Sequence, residues 1–173
     1  MAQVIDIAPT RKGNDNWIEV VPETDSEWEN VDEPIGTPDT ADYLRPALLL
    51  VSAGELGFPD LPANADVVSE ITVTFHHKAT GKAGSLGTAF VPNGSAEFSE
   101  KTIASLLEIW GTGSVTWSGL SLPVAEYNGH QLKIRQVGAL GVRIFATVAI
   151  TVTYSELAAG NPWYLYNRRR RIQ

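Results

Sequence analysis

Histidine is the residue type in this sequence that most often performs acid–base catalysis or metal binding, and there are three. His76 and His77 are adjacent in "SEITVTFHHK", whose alternation of apolar and polar residues predicts a β-strand. Neighbours in a strand point to opposite faces, so this pair cannot ligate one ion, and His77 shares the phase of Phe75 at the core edge. His130 follows Gly129 at a predicted turn. With no G-x-S-x-G motif and no zinc-type histidine spacing, we predict structural histidines, no catalytic residue, no metal, no cofactor and no enzyme activity.

The stretch "PETDSEWENVDEPIGTPDTADYL", residues 22–44, raises the question of a calcium loop. Within it, "DSEWENVDE" places carboxylates at alternate positions, as at the start of an EF-hand loop. Such a loop requires glycine at its sixth position, which here is Asn30, and the bulky Trp28 interrupts the ligands. We therefore do not predict a calcium site.

The net charge of −7 is unevenly distributed. Residues 13–44 hold ten acidic residues and no basic one, whereas residues 168–171 are four consecutive arginines. The acidic residues are Asp15, Glu19, Glu23, Asp25, Glu27, Glu29, Asp32, Glu33, Asp39 and Asp42. The pattern predicts an acidic arm and a basic tip on a nearly neutral body.

The strongest secondary-structure pattern is the alternation in "GVRIFATVAITVTY". It predicts one strand face with Val142, Ile144, Ala146, Val148, Ile150, Val152 and Tyr154. The opposite face would hold Arg143, Phe145, Thr147, Ala149, Thr151 and Thr153. Because such a strand is unusually long, we expect a bulge or bend within it.

Short strands at about ten-residue spacing between glycine-rich turns predict an all-β fold, an antiparallel, jelly-roll-like β-sandwich. "SEKTIASLLEIWG" fits either a short helix or a strand beginning at Thr102, and "LPVAEYNG" predicts one helical turn.

Three parts are predicted along the chain. Residues 1–65 form an extended, acidic arm with seven of the ten prolines, in which "WIEVV" (17–21) and "ALLLV" (47–51) are candidate edge strands. Residues 66–156 form the sandwich, and residues 157–173 an aromatic and arginine-rich tail. Neither a signal peptide nor an apolar run long enough for a membrane helix is expected.

Arm and tail carry the candidate partner-binding residues, because aromatic anchors beside charges are typical of docking segments. In the arm these are Trp17, Trp28, Asp32, Asp39, Asp42 and Tyr43. In the tail they are Trp163, Tyr164, Tyr166, Arg168, Arg169, Arg170 and Arg171. We favour a basic partner surface for the arm, and an acidic protein neighbour over nucleic acid for the tail. The alternative for the arm is that its aromatics pack on their own sandwich.

Several short motifs from residue 65 to 156 resemble the jelly-roll-like virion proteins of tailed bacteriophages. They are "ADVVSEITVTFHHKATGKAGSL", "IWGTGSVTW", "LPVAEYNGHQLKIRQ" and "FATVAITVTY". The resemblance implies a non-enzymatic structural protein of the virion, with capsid decoration (cement) as the favoured role and the major capsid protein or another virion subunit as partner. It further implies a homo-oligomer, with a trimer favoured, for which the outward Phe145 and Ala149 are the candidate self-association residues.

Two alternatives remain open. One is a head–tail junction or tail or fibre-base protein with the same fold. The other is a host-surface glycan-binding module that uses Trp110 and Trp117 as a stacking platform, although for both tryptophans we favour a place in the core.

Overall fold

The computed structural model describes residues 2–7, 9, 11–12, 17–20, 33–40, 43–46, 53–82, 84–105, 108–137 and 142–157. Two antiparallel β-sheets pack face to face around one apolar core. The strands are β1 (Ala2–Ile7), β2 (Arg11–Lys12), β3 (Trp17–Val20), β4 (Tyr43–Pro46), β5 (Ala53–Gly57), β6 (Ala65–Thr80), β7 (Gly84–Val91), β8 (Lys101–Ser105), β9 (Gly111–Pro123), β10 (Gln131–Val137) and β11 (Val142–Glu156). One short helix, α1 (Val124–Tyr127), completes the described elements. The predicted antiparallel β-sandwich is confirmed.

The first sheet has the strand order β3-β4-β11-β6-β9, and β1 also pairs with β11. The second sheet has the order β2-β5-β10-β7-β8. The two longest strands, β6 and β11, are neighbours at the centre of the first sheet, although β7 to β10 separate them in the sequence.

The core follows from the period-two pattern of these central strands. Ile71, Val73 and Phe75 of β6 are fully buried, and so are Val148 and Ile150 of β11. The second sheet contributes a matching inner row from β7 and β10, namely Leu86, Phe90, Leu132 and Ile134. Burial of apolar side chains of this size contributes about 1.5–3 kcal/mol each, which makes this layer the main source of stability.

The expected irregularity in β11 is a register shift between Phe145 and Thr147, which pair with His77 and His76. Ala146 is the extra residue, so the side chains before it have the opposite phase to those after it. Phe145 therefore points into the core, where it is fully buried and lies edge-to-face on Phe75 with 5.6 Å between ring centroids.

The predicted outward position of Phe145 is therefore wrong. Because Phe145 has no exposed surface, it cannot contribute to a self-association face. Ala149 lies after the bulge, keeps the outward phase opposite Thr74 and is half-buried. Its role in self-association stays a prediction.

The described parts of residues 1–65 are attached to the sandwich. β1 runs antiparallel to β11 from Ala2↔Ser155 to Ile7↔Ile150, and β4 pairs with β11 through Leu44↔Phe145. β3 confirms the edge strand expected from "WIEVV", whereas "ALLLV" lies outside the described residues. Tyr43, the arm aromatic whose side chain is described, packs on the sandwich as the alternative predicts, and the three boundaries along the chain stay predictions.

The two segments of uncertain type are resolved by the structure. Lys101–Ser105 is a strand that pairs with β7, not a helix. Val124–Tyr127 is the predicted helical turn, and Gly129 after it adopts a φ of +78°, which favours glycine. Among the described residues, no helix is long and apolar enough to span a membrane.

A close approach of two strands at Gly113 generates a stability prediction. A Cβ atom added there would overlap Cγ2 of Ile103 and lie 3.0 Å from Nε2 of the buried His77. We expect Gly113→Ala to lower the free energy of unfolding by about 1–3 kcal/mol, measured by urea denaturation, because overpacking forces the neighbours apart.

Gly36→Ala is the matched control, because nothing lies within 4 Å of the added Cβ at Gly36. Equal stability of the two variants would contradict the packing of Ile103 over Gly113.

Candidate functional site

The outer face of the first sheet carries an aromatic and polar group of side chains, which we name the Trp110 cluster. It consists of Tyr43, His76, Lys78, Trp110 and Thr112. His76 and Lys78 come from β6, where they alternate with the buried Phe75, His77 and Ala79 and therefore point away from the core. Tyr43 comes from β4, Thr112 from the start of β9, and Trp110 from the turn that directly precedes β9. Three strands thus bring together residues far apart in the sequence.

Ring contacts hold Trp110 in place. Its indole stacks on the imidazole of His76 with 5.3 Å between centroids and an interplanar angle of 8°. Tyr43 approaches edge-on at 6.2 Å, and Nζ of Lys78 lies 4.8 Å from the indole centroid, within the range of a cation–π interaction. Nδ1 of His76 and Oγ1 of Thr112 are 3.1 Å apart and hydrogen-bonded, which fixes the imidazole plane.

The turn before Trp110 is held in a specific backbone conformation. Glu108 has a φ of +55°, a left-handed conformation that costs a non-glycine residue about 1–2 kcal/mol. Two hydrogen bonds hold it: its N–H donates to the carbonyl of Ala79 at 2.8 Å, and its carboxylate accepts the N–H of Gly81 at 2.9 Å. The turn presents Ile109, 61% exposed, and the half-buried Trp110 on the surface. A strained backbone conformation next to an aromatic residue is one of the features found at binding sites.

The two tryptophans proposed as a stacking platform have different environments. Trp117 is 5% exposed, belongs to the core and donates its indole N–H to the carbonyl of Ser99 at 3.1 Å. The core prediction is therefore confirmed for Trp117 and wrong for Trp110. Within the described part of the chain, no acceptor is bonded to the indole N–H of Trp110.

Burial controls the protonation of the two adjacent histidines. Desolvation lowers the pKa of His77 to about 4, and the neighbouring His76 adds a smaller lowering effect. Burial also lowers the pKa of His76. His77 is therefore uncharged at neutral pH and suits the core edge that its phase predicted, whereas His76 belongs to the surface cluster.

His130 is fully buried and has the structural environment expected for it. Its Nδ1 lies 2.7 Å from the carbonyl oxygen of Tyr127, and its ring stacks on Phe90 with 4.6 Å between centroids. In the described ranges, no group of three or more His, Cys, Asp or Glu side chains could hold a metal ion.

The structure describes only some of the predicted partner-binding residues. Asp39 is exposed in the segment 33–40, which Thr147 fastens to β11 by donating from Oγ1 to the carbonyl of Glu33. Tyr43 is half-buried in the Trp110 cluster. The side chains outside the described residues are those of Trp17, Trp28, Asp32, Asp42, Trp163, Tyr164, Tyr166, Arg168, Arg169, Arg170 and Arg171. A docking role for all of them stays a prediction.

Sequence reasoning missed the polar members of the cluster. The outward phase of His76 and Lys78 is readable from "FHHK", but their proximity to Trp110 depends on the β6–β9 register, in which His77 pairs with Gly111. The contribution of Tyr43 depends on β4 joining the same sheet. No local signal in the sequence indicates either pairing.

No protein-family model matches the sequence, and no curated protein matches it. Among solved structures, the chain is similar to the CBM35 structure from Paenibacillus barcinonensis, with 17% identity, a TM-score of 0.47 and coverage of 88% of this chain and 99% of that one. It is similar to a family 16 carbohydrate binding module-2, with 5% identity, a TM-score of 0.41 and coverage of 65% and 77%. A Stig cyclase, Fisc, from Fischerella sp. TAU gives 16% identity, a TM-score of 0.44 and coverage of 88% and 86%.

Because these TM-scores are below 0.5 and the proteins differ in kind, the similarities inform neither the site nor its ligand. None of the comparisons supports the bacteriophage resemblance.

The pKa of His77 generates a prediction about stability at low pH. In the unfolded chain a histidine binds a proton below about pH 6.5, whereas His77 in the folded protein binds one only below about pH 4. The unfolded state therefore binds more protons in this window, and the His77 contribution to stability is full above pH 6.5 and decreases as the pH falls to 4. The slope reaches at most about 1.4 kcal/mol per pH unit.

The measurement compares wild type with His77→Phe by urea denaturation between pH 4 and 7. Carboxylate titrations are common to both proteins, so the difference between the two curves isolates His77. We expect a shallower pH dependence for His77→Phe, and identical slopes would contradict an uncharged buried imidazole.

Proposed function

We propose that this protein is a non-catalytic carbohydrate-binding module that binds saccharides at the Trp110 cluster. The observation that supports the proposal is a half-buried tryptophan that ring contacts hold on the outer face of the first sheet beside polar side chains. Binding sites for small ligands combine apolar and aromatic surface with a few positioned polar groups, which is the composition found here.

The chemistry of the cluster suits a sugar ring. A pyranose has apolar C–H faces and a rim of hydroxyl groups, so it needs a flat apolar partner beside hydrogen-bonding groups. The exposed part of the Trp110 indole and Ile109 supply apolar surface. The ammonium of Lys78 lies over the ring, the hydroxyl of Thr112 is bonded to the His76 imidazole that stacks on it, and the indole N–H is a further donor.

The contrast with Trp117 favours a binding role over a purely structural one. A tryptophan that serves only packing buries its ring and pairs its N–H inside the protein, as Trp117 does. Trp110 instead lies outside the core, and the turn that presents it contains a residue in a strained conformation. Strain of this kind persists only where the surrounding structure imposes it.

Preorganisation supports the same proposal. Trp110 is held by three side chains from two other strands of the first sheet, so little conformational freedom remains to be lost on ligand binding. The three side chains that hold Trp110 lie on regular strands, which position side chains more accurately than loops do.

The capsid-decoration hypothesis rests on the sequence resemblance alone. Association with a major capsid protein, trimer formation and location in the virion stay predictions, as do the head–tail and fibre-base alternatives. Among the described residues, no observation favours any of these roles over saccharide binding at the Trp110 cluster.

The test is a glycan array followed by calorimetric titration of the oligosaccharides that bind. We expect Trp110→Ala to weaken binding about thirtyfold, because truncation of an anchoring aromatic costs on the order of 2 kcal/mol. Trp110→Phe should retain part of the affinity, since it keeps an aromatic face.

Leu157→Ala is the control, because Leu157 is also an exposed apolar side chain, 55% exposed, at the far end of β11. A silent array, together with no retention of the wild-type protein by polysaccharides in affinity gels, would overturn the proposal. Binding that survives Trp110→Ala unchanged would place the site elsewhere.

A further inference from the structure

We propose that the ligand of the Trp110 cluster is an acidic saccharide, whose carboxylate or sulfate group pairs with Lys78. This inference rests on the proposed function of the cluster and goes beyond it, because it names the chemical class of the ligand. The argument starts from the environment of one ammonium group.

Lys78 differs from the other described basic side chains of the sheets. On the outer face of the second sheet, Nζ of Lys133 lies 2.6 Å from the carboxylate of Glu97, and Arg135 forms an ion pair with Glu100. Lys101 donates to the carbonyl of Thr116 at 2.7 Å. Within the described part of the chain, no carboxylate forms an ion pair with Lys78, whose contact is the indole of Trp110.

Among the described residues, the strand positions paired beside Lys78 carry no acidic side chain. On the β11 side, Lys78 pairs with the apolar Ile144. On the β9 side, the pairing ends one residue earlier, where His77 pairs with Gly111. The nearby Glu108 uses one carboxylate oxygen to accept the N–H of Gly81. Within the described ranges no carboxylate is paired with the ammonium of Lys78, which therefore favours an anionic ligand group.

The ammonium of Lys78 lies over the aromatic surface that we propose as the saccharide contact. A saccharide that lies against the exposed part of the indole projects its C6 carboxylate or sulfate at the edge of the sugar ring. Nζ of Lys78 lies over the same indole, 4.8 Å from its centroid, so a saccharide bound at the cluster would lie near this ammonium. A charge-assisted hydrogen bond to such a group is roughly twice as strong as one to a neutral hydroxyl.

The net charge of the chain makes a non-specific attraction for acidic saccharides an unsuitable explanation of any acidic preference. A protein with net charge −7 has no general attraction for polyanions, so non-specific electrostatic binding of acidic polysaccharides is disfavoured. A preference for an acidic over a neutral ligand would therefore have to come from a local contact. Among the members of the cluster, Lys78 is the one with an ammonium group.

The experiment uses the full chain and three oligosaccharides with the same gluco-configured backbone: one neutral at C6, one oxidised to the uronic acid and one sulfated at C6. Calorimetric titration of the wild type should show at least tenfold tighter binding of an acidic form than of the neutral one. Comparison of the uronic acid with the sulfate identifies which anionic group the site prefers.

Lys78→Gln should lower the affinity for the acidic forms at least tenfold more than the affinity for the neutral form, and Lys78→Arg should keep the preference. Lys133→Gln, on the outer face of the second sheet, is the matched control and should leave all three affinities unchanged. Thermal melts confirm that the variants are folded, and Lys78→Met serves as a second uncharged variant if Lys78→Gln is unstable.

The outcomes separate the two proposals. Equal binding of neutral and acidic forms, or an acidic preference that survives Lys78→Gln, overturns the inference and leaves the carbohydrate-binding proposal intact. Absence of binding to all three sugars, together with a silent glycan array, overturns both.

Discussion

The antiparallel pairing of β6 with β11 is the interaction on which the rest of the structure depends. It extends from Val142↔Thr80 to Glu156↔Ala65, which is nearly the full length of both strands. One face of the pair supplies much of the apolar core, and the free edges of the two strands bind β9 on one side and β1 and β4 on the other. Without this central pair, the short strands of the first sheet would have no partner and no buried face, and isolated pairs of such strands are only marginally stable.

The bulge at Ala146 adapts this pairing to two different neighbours. Residues of β11 after it pair with β1, and Phe145 before it pairs with Leu44 of β4. Because the bulge reverses the phase, Phe145 fills the core against Phe75, while Thr147 points outward and bonds the carbonyl of Glu33. A single inserted residue thus serves core packing and also fastens the segment 33–40 to the outer face.

The outer face of the same sheet positions the candidate site. β4, β6 and the start of β9 belong to one sheet. Tyr43, His76 and Trp110 can therefore contact each other although they are far apart in the sequence. Trp117 lies on the inner face of this sheet and packs in the core, so it is not part of the site. The face of the sheet thus decides the environment of each tryptophan: Trp117 on the inner face is buried, and Trp110 on the outer face is half-buried.

How much of this was predictable differs between fold and site. Alternation along "SEITVTFHHK" and "ATVAITVTY" determined the strands, the inward row of Ile71, Val73 and Phe75, and hence the β-sandwich class, because side-chain direction in a strand is a local property. The same local rule failed at Phe145, since a bulge depends on how two strands align and not on either strand alone.

The Trp110 cluster was decided by tertiary structure for the same reason. Its members come from positions 43, 76–78 and 110–112, and only the pairings of β4 with β11, of β11 with β6 and of β6 with β9 bring them together. The sequence by itself determined which residues face outward in β6. The long-range register between strands, which has no signature within any one of them, determined what those residues meet.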